Sequence, residues 1–113
     1  MGSFNVEIVE KGTICRLSGN LMSSEDAEQF QNIVDEAANS ENRNLIIDFS
    51  EVSLLGSLVL GHLVRAQAHL AKADGRIAFC GFSESIINVL KMTRVHTIIN
   101  VYKDIDDARR ILK

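Results

Sequence analysis

The sequence predicts an α/β fold: a single mixed β-sheet with an N-terminal antiparallel hairpin and a parallel centre, packed by about four helices. Three observations carry this expectation. Phe4, Val6 and Ile8 alternate with Asn5 and Glu7 and run into Lys11-Gly12, the pattern of a half-buried strand entering a turn. Residues 45–49, Leu-Ile-Ile-Asp-Phe, make a nearly continuous apolar run, as in a central strand covered on both faces. Helix-like stretches separate the later strands, and strand–helix–strand units imply right-handed crossovers and parallel pairing. The expected order is β-β-α-β-α-β-α-β-α, in one domain over residues 1–113.

The elements follow in order. After the first strand and its turn, residues 13–17 form a second short strand, and Ser18-Gly19-Asn20 breaks the pattern. Ser23 or Ser24 can cap a first helix, because a serine oxygen accepts from free first-turn N–H groups. Glu25, Asp26 and Glu28 suit the positive end of its dipole, and Ala27, Phe30, Val34 and Ala37 make its apolar stripe. A polar loop spans residues 39–44, before the apolar strand at 45–49. A short polar turn and the pair Leu54-Leu55 follow, and a second helix runs over 57–73 to the stop at Asp74-Gly75. Residues 76–80 form a strand, and Ser83 caps a third helix carrying Ile86, Ile87 and Leu90. Residues 97–102 alternate as a final strand, and Asp104 opens a last helix with Ile105, Ala108 and Leu112.

Bulk properties exclude several classes of function. A net charge of −3 and the lack of a basic block argue against nucleic-acid binding. No apolar run approaches the roughly 20 residues that span a bilayer, so no direct membrane insertion is expected. Met1-Gly2-Ser3-Phe4 lacks the basic-then-apolar pattern of a signal peptide, and the expected location is cytoplasmic. Cys15 and Cys80 stand alone in apolar strands and read as buried free thiols.

The segment most informative about function begins at Asp48. Behind the buried strand, Gly56 and Ser57 stand where a helix begins, so a hydroxyl and free N–H groups gather at a positive dipole end. Two roles are open to Ser57: phosphorylation site or N-cap. Ser53 is a weaker phosphorylation candidate and reads as a turn residue. Met22, Leu55, Leu58 and Val59 are apolar in places where a solvated turn would be polar. They read either as core or as a small docking surface.

Catalysis is not expected. Ser57, His62 and Asp48 could be written as a triad, but Ser57 and His62 diverge around their helix. There is no Gly-x-Ser-x-Gly, no glycine-rich phosphate loop and no paired catalytic carboxylates. His62 and His69 share a helix face without a third ligand, and His96 is alone, so neither metal nor cofactor is expected.

The stretch Ile46-Ile47-Asp48-Phe49-Ser50-Glu51-Val52 is followed by Gly56-Ser57-Leu58-Val59-Leu60-Gly61. On these residues the chain resembles the STAS domain family, and as a stand-alone domain it is most similar to bacterial anti-sigma factor antagonists. Leu17-Ser18-Gly19, Asp74-Gly75, the stretch from Ile87 to Thr93, and Ile98-Ile99 support it. It implies a non-enzymatic domain that switches partners on an anti-sigma factor of the serine-kinase type and so controls transcription. It also implies a partner surface of Asn20, Met22, Ser23, Ser24, Gly56, Ser57 and Leu58.

The family motif, Asp-Ser-Ser/Thr-Gly-Leu-Gly, is altered here. Its Asp falls on Gly56, its first serine on Ser57, its phospho-acceptor on Leu58 and its next glycine on Val59; Leu60 and Gly61 match. Ser57 is left as the candidate acceptor, one residue early. Two further departures are Asn20 and Met22 where the family often has acidic residues, and Arg94 where it tends to have glycine. Rival readings are a scaffold subunit of a larger signalling or transport assembly, with homo-oligomerisation, and an anion- or lipid-binding module.

Overall fold

The computed structural model describes residues 2–112. Strands β1 (Ser3–Val9), β2 (Gly12–Leu21), β3 (Asn44–Leu55), β4 (Arg76–Cys80) and β5 (Val101–Tyr102) form one sheet in the order β1-β2-β3-β4-β5. β1 runs antiparallel to β2, and every other neighbouring pair is parallel. Helices α1 (Ser24–Ala38), α2 (Ser57–Lys72), α3 (Glu84–Met92) and the short α4 (Ile105–Ala108) complete the expected order, and a 3-10 turn at Arg109–Leu112 extends α4.

Alternation along β3 builds both cores. Leu45, Ile47 and Phe49 face α1, α2 and α3, where they meet Phe30, Val34, Leu63, Leu70 and Phe79. Ile46 faces the other way and packs with Ile14, Ala78, Cys80, Ala108 and Ile111 under the C-terminal helix. Coverage of both faces is what a continuous apolar strand requires.

The two central strands are longer than expected. Ser18-Gly19-Asn20 does not end β2, and the polar stretch of residues 50–53 is strand rather than turn, Ser53 included. The expected loop over 39–44 likewise stops short, since Asn44 already belongs to β3. β4 pairs with β3 only as far as Asp48 opposite Cys80. Beyond that point β3 has a single neighbour, β2, through Glu51 with Ser18, Val52 with Gly19, Leu54 with Asn20 and Leu55 with Leu21. In this two-stranded ribbon Val52 and Leu21 stay in the core while Ser50, Glu51 and Ser53 are left in solvent, so its sequence looks like a turn. Register shifts at Arg16/Ser18 and Gly19/Asn20 mark bulges, and Gly19 takes φ 86, which a residue with a Cβ resists.

Two further expectations change. The first strand is far less buried than its alternation suggests: Val6 is 44% and Ile8 77% exposed. Residues 97–102 are not one strand. A 3-10 turn at Val95–Thr97 precedes the two-residue β5. Val95 and Ile99 are the buried pair there, and their i, i+4 spacing belongs to a helical turn rather than to period two.

That turn begins at Arg94, which holds φ 62. A left-handed arginine costs about 1–2 kcal/mol, part of which glycine would return to unfolded-chain entropy. Arg94→Gly is therefore expected to raise stability by about 0.5 kcal/mol, read as a higher urea midpoint at unchanged slope.

Candidate functional site

The ribbon of β2 and β3 ends where α1 and α2 begin, and this juncture gathers every residue expected to bind a partner. The Gly56 N–H donates to the Leu21 carbonyl at 2.8 Å, holding the start of α2 beside the loop that leads to α1. Gly56 is buried beneath that loop. A Cβ there would stand 3.2 Å from the Met22 Cα and 3.3 Å from its Sδ, so the bare glycine lets Met22 lie over the helix start.

Gly56, not Ser57, is the N-cap of α2. It has φ −77 and ψ 159 and no side chain to accept from the first turn, while Ser57 is the first helical residue. Among the described residues the Ser57 hydroxyl makes no hydrogen bond. It faces solvent at a helix start that has no acidic residue in its first turn. The other helices start differently: Ser23, Ser83 and Asp104 accept from Asp26, Ile86 and Asp107 N–H groups.

On the α1 side the geometry is tighter. Ser23 caps α1 in a reciprocal capping box with Asp26, and Ser24 is the exposed first helical residue. The Asp26 carboxylate is buried and accepts from the N–H groups of Gly2 at 3.1 Å, Met22 at 3.2 Å and Ser23 at 3.3 Å. Burial pushes its pKa up, but the hydrogen bonds from Gly2, Ser23 and Met22 outweigh burial and hold it below the ordinary aspartate value. Asp26 was expected only to serve the helix dipole. Its larger part is to fix the loop that presents Met22.

Three large apolar side chains are exposed at this juncture among polar ones. Met22 is 55%, Leu54 54% and Leu58 48% exposed, with Asn20 and Ser57 exposed beside them, while Val59 is fully buried core. The surface continues onto α3. A hollow of about 150 Å³ is lined by Ser53, Leu54, Leu55, Ser85, Ile86 and Val89, and Val89 is 42% exposed. Leu54 and Val89 escaped the sequence reading. A signal was present in α3, whose apolar positions 86, 87, 89, 90 and 92 are too many for one buried stripe.

Of the three residues of a triad, Ser57 makes no hydrogen bond among the described residues, and His62 and Asp48 are engaged elsewhere. His62 Nδ1 lies 3.1 Å from Gln31 Oε1 on α1, and Asp48 accepts from the Ser50 N–H and hydroxyl, both at 3.1 Å. Burial, then the nearby Arg65 charge, lowers the His62 pKa. His69 sits 3.6 Å from Asp35, and His96 Nδ1 3.2 Å from the Leu90 carbonyl. The histidines thus tie elements together separately, and among the described residues no cluster of His, Cys, Asp and Glu could hold a metal ion. Cys15 and Cys80 are buried free thiols, and burial pushes both up to about 12, so neither is a ready nucleophile. No helix among the described residues is long and apolar enough to cross a membrane.

A family model described as STAS domain matches residues 3–108. Solved structures of the same fold span nearly the whole chain. The Thermotoga maritima protein TM1081 is 24% identical with a TM-score of 0.81, covering 96% of this chain and 93% of its own. An anti-sigma factor antagonist from Mycobacterium paratuberculosis is 20% identical with a TM-score of 0.83, covering 99% and 94%. The Bacillus cell fate determinant SpoIIAA, solved in its phosphorylated form, is 16% identical with a TM-score of 0.72, covering 96% and 99%.

Proposed function

This chain belongs to the STAS domain family, and we propose that within it the chain is a non-enzymatic binding domain of the anti-sigma factor antagonist kind. It works in the cytoplasm by partner switching. Its partner is an anti-sigma factor of the serine-kinase type, whose capture frees a sigma factor and changes transcription. The observation that carries this reading is the apolar tip: Met22, Leu54 and Leu58 stand in solvent around a buried Gly56, at the position of the family's signalling motif. Three large apolar side chains cost free energy in water, and burying them against a partner removes that cost. Asn20, Ser23, Ser24 and Ser57 supply a polar rim.

The switch itself is altered. Leu58 has no oxygen to receive a phosphate, which removes the usual gate. Ser57 is the residue that can replace it. Its hydroxyl is exposed, and a phosphate on the first residue of α2 would meet the positive end of the helix dipole. A phosphate there would still add about two negative charges at the rim of the contact, directly beside the apolar Leu58, and so oppose docking. SpoIIAA, solved in phosphorylated and unphosphorylated forms, supports a phosphate as compatible with this scaffold.

The test uses the chain, a kinase-type anti-sigma factor from the same cell, and ATP. Binding is expected without ATP, and any phosphate gained is expected on Ser57 and absent from Ser57→Ala, as read by intact mass and fragment mapping. Failure of every kinase-type anti-sigma factor of that cell to bind would sink the proposal. A phosphate on another residue would sink the assignment of Ser57.

A further inference from the structure

We propose that the outer edge of β1 is a self-pairing surface, on which a second copy of this chain docks antiparallel to close a two-fold dimer. Among the described residues the sheet order leaves one side of β1 without a neighbour. Edge strands are normally blunted by proline, lysine, a bulge or an unpaired charge. Ser3–Val9 contains neither proline nor lysine, and its register with β2 is unbroken. Its one charged residue, Glu7, is already paired with Arg16 at 2.7 Å. Val6 and Ile8 stand exposed on the side that faces α1, beside a hollow of about 170 Å³ that Ile33 and Ala37 also line.

The occupant follows from the register. Val9 pairs with Gly12 across the two-residue turn Glu10-Lys11, so these two close the hairpin as its hydrogen-bonded pair. Alternation then turns the backbone groups of Ser3, Asn5, Glu7 and Val9 toward β2, and those of Phe4, Val6 and Ile8 outward. A two-fold axis through Val6 sets Val6 against Val6 of the second copy, Phe4 against its Ile8, Asn5 against its Glu7 and Ser3 against its Val9. The outward N–H and C=O groups of Phe4, Val6 and Ile8 then all find partners across the axis. The α1 side of the joint is wholly apolar. On the other side each Glu7 meets an asparagine, and the two carboxylates are not opposite one another. The strand is thus complementary to itself over its full length. At the far edge β5 has only Val101 and Tyr102, too short to extend the pairing, so the assembly closes as a dimer and not a filament.

One strand a side buries less than the roughly 1,200 Å² of a standard interface, so a concentration-dependent dimer is expected. Sedimentation of the full chain from about 5 µM to 1 mM should show the mean mass rising from one copy toward two, a range suited to interfaces this small. Ile8→Lys, at a position 77% exposed, should leave thermal unfolding unchanged and weaken self-association by about tenfold or more. An oxidised mixture of Asn5→Cys and Glu7→Cys chains should yield a cross-linked dimer, since directly opposite residues outside the hydrogen-bonded pairs lie about 4.5 Å apart at Cα. Either variant alone should not cross-link, because diagonal neighbours lie about 7–8 Å apart. A chain that is monomeric at the highest concentration overturns the proposal. So does a dimer indifferent to Ile8→Lys, or one in which the mixed cysteines fail to join.

Discussion

Leu58→Asp is expected to weaken binding of the kinase-type anti-sigma factor by about 100-fold or more, close to 3 kcal/mol, and to leave the fold intact. The two effects separate for a physical reason. Leu58 is 48% exposed and its neighbour Val59 carries the core contact, so the fold loses little apolar burial. An aspartate in the first turn of α2 also meets the positive end of a helix that has no acid there, a gain of about 0.3–1 kcal/mol. In the complex the same carboxylate would lie among buried apolar groups without a partner, where a charge is costly. Calorimetric titration should therefore show lost affinity while the urea midpoint holds or rises. Met22→Asp, across Gly56, should behave the same way, because both side chains stand in one surface. Wild-type affinity in both variants would remove this tip from the interface. Leu58→Ser is the reciprocal experiment. It restores a hydroxyl at the family's acceptor position, and with kinase and ATP the variant is expected to gain a phosphate on residue 58 and lose affinity, where the parent chain has no oxygen at that position.

Much of the fold is legible in the amino-acid sequence. The apolar run at 45–49, the serines at 23 and 83, and the stop at Asp74-Gly75 each express a local rule, and each element stands where that rule placed it. The misreadings have two causes. Ser18-Gly19-Asn20 and residues 50–53 look like breaks because their polarity reflects exposure on a ribbon, and only the register of β2 with β3 reveals that they are strand. Residues 97–102 alternate in sequence, yet burial of Val95 and Ile99 imposes a helical turn. The site was half legible. Met22 and Leu58 stood out as apolar residues in a loop setting. Leu54 and Val89 did not, because their exposure depends on where β3 ends relative to α3. Gly56 could be placed at a helix start from the sequence, but the room it leaves for Met22 depends on packing that the sequence does not display.

Asp26→Ala is expected to destabilise the chain by about 3 kcal/mol, enough to lower the melting temperature by more than about 10 °C in a domain of this size. The alanine removes the acceptor for the Gly2, Met22 and Ser23 N–H groups, at a cost near 1 kcal/mol for each donor left without a partner. The Ser23 bond among these is one half of the capping box of α1, so that half is lost with it. Asp26→Asn keeps one carbonyl oxygen and should lose about half as much, since a neutral acceptor binds these donors more weakly than a carboxylate. The sign with pH follows from the lowered pKa. The folded carboxylate holds its proton less tightly than the unfolded one, so its contribution is whole above the unfolded value near 3.9 and is lost as the pH falls through the folded value. The stability gap between parent and Asp26→Ala should therefore be constant around neutrality and narrow only in acid. A gap that stayed constant into strong acid would mean that packing rather than the carboxylate is responsible. Because the same carboxylate holds the Met22 amide, Asp26→Ala should also weaken partner binding at neutral pH, where the domain remains folded. Stability and recognition thus converge on one buried side chain, whose hydrogen bonds decide where the exposed methionine stands.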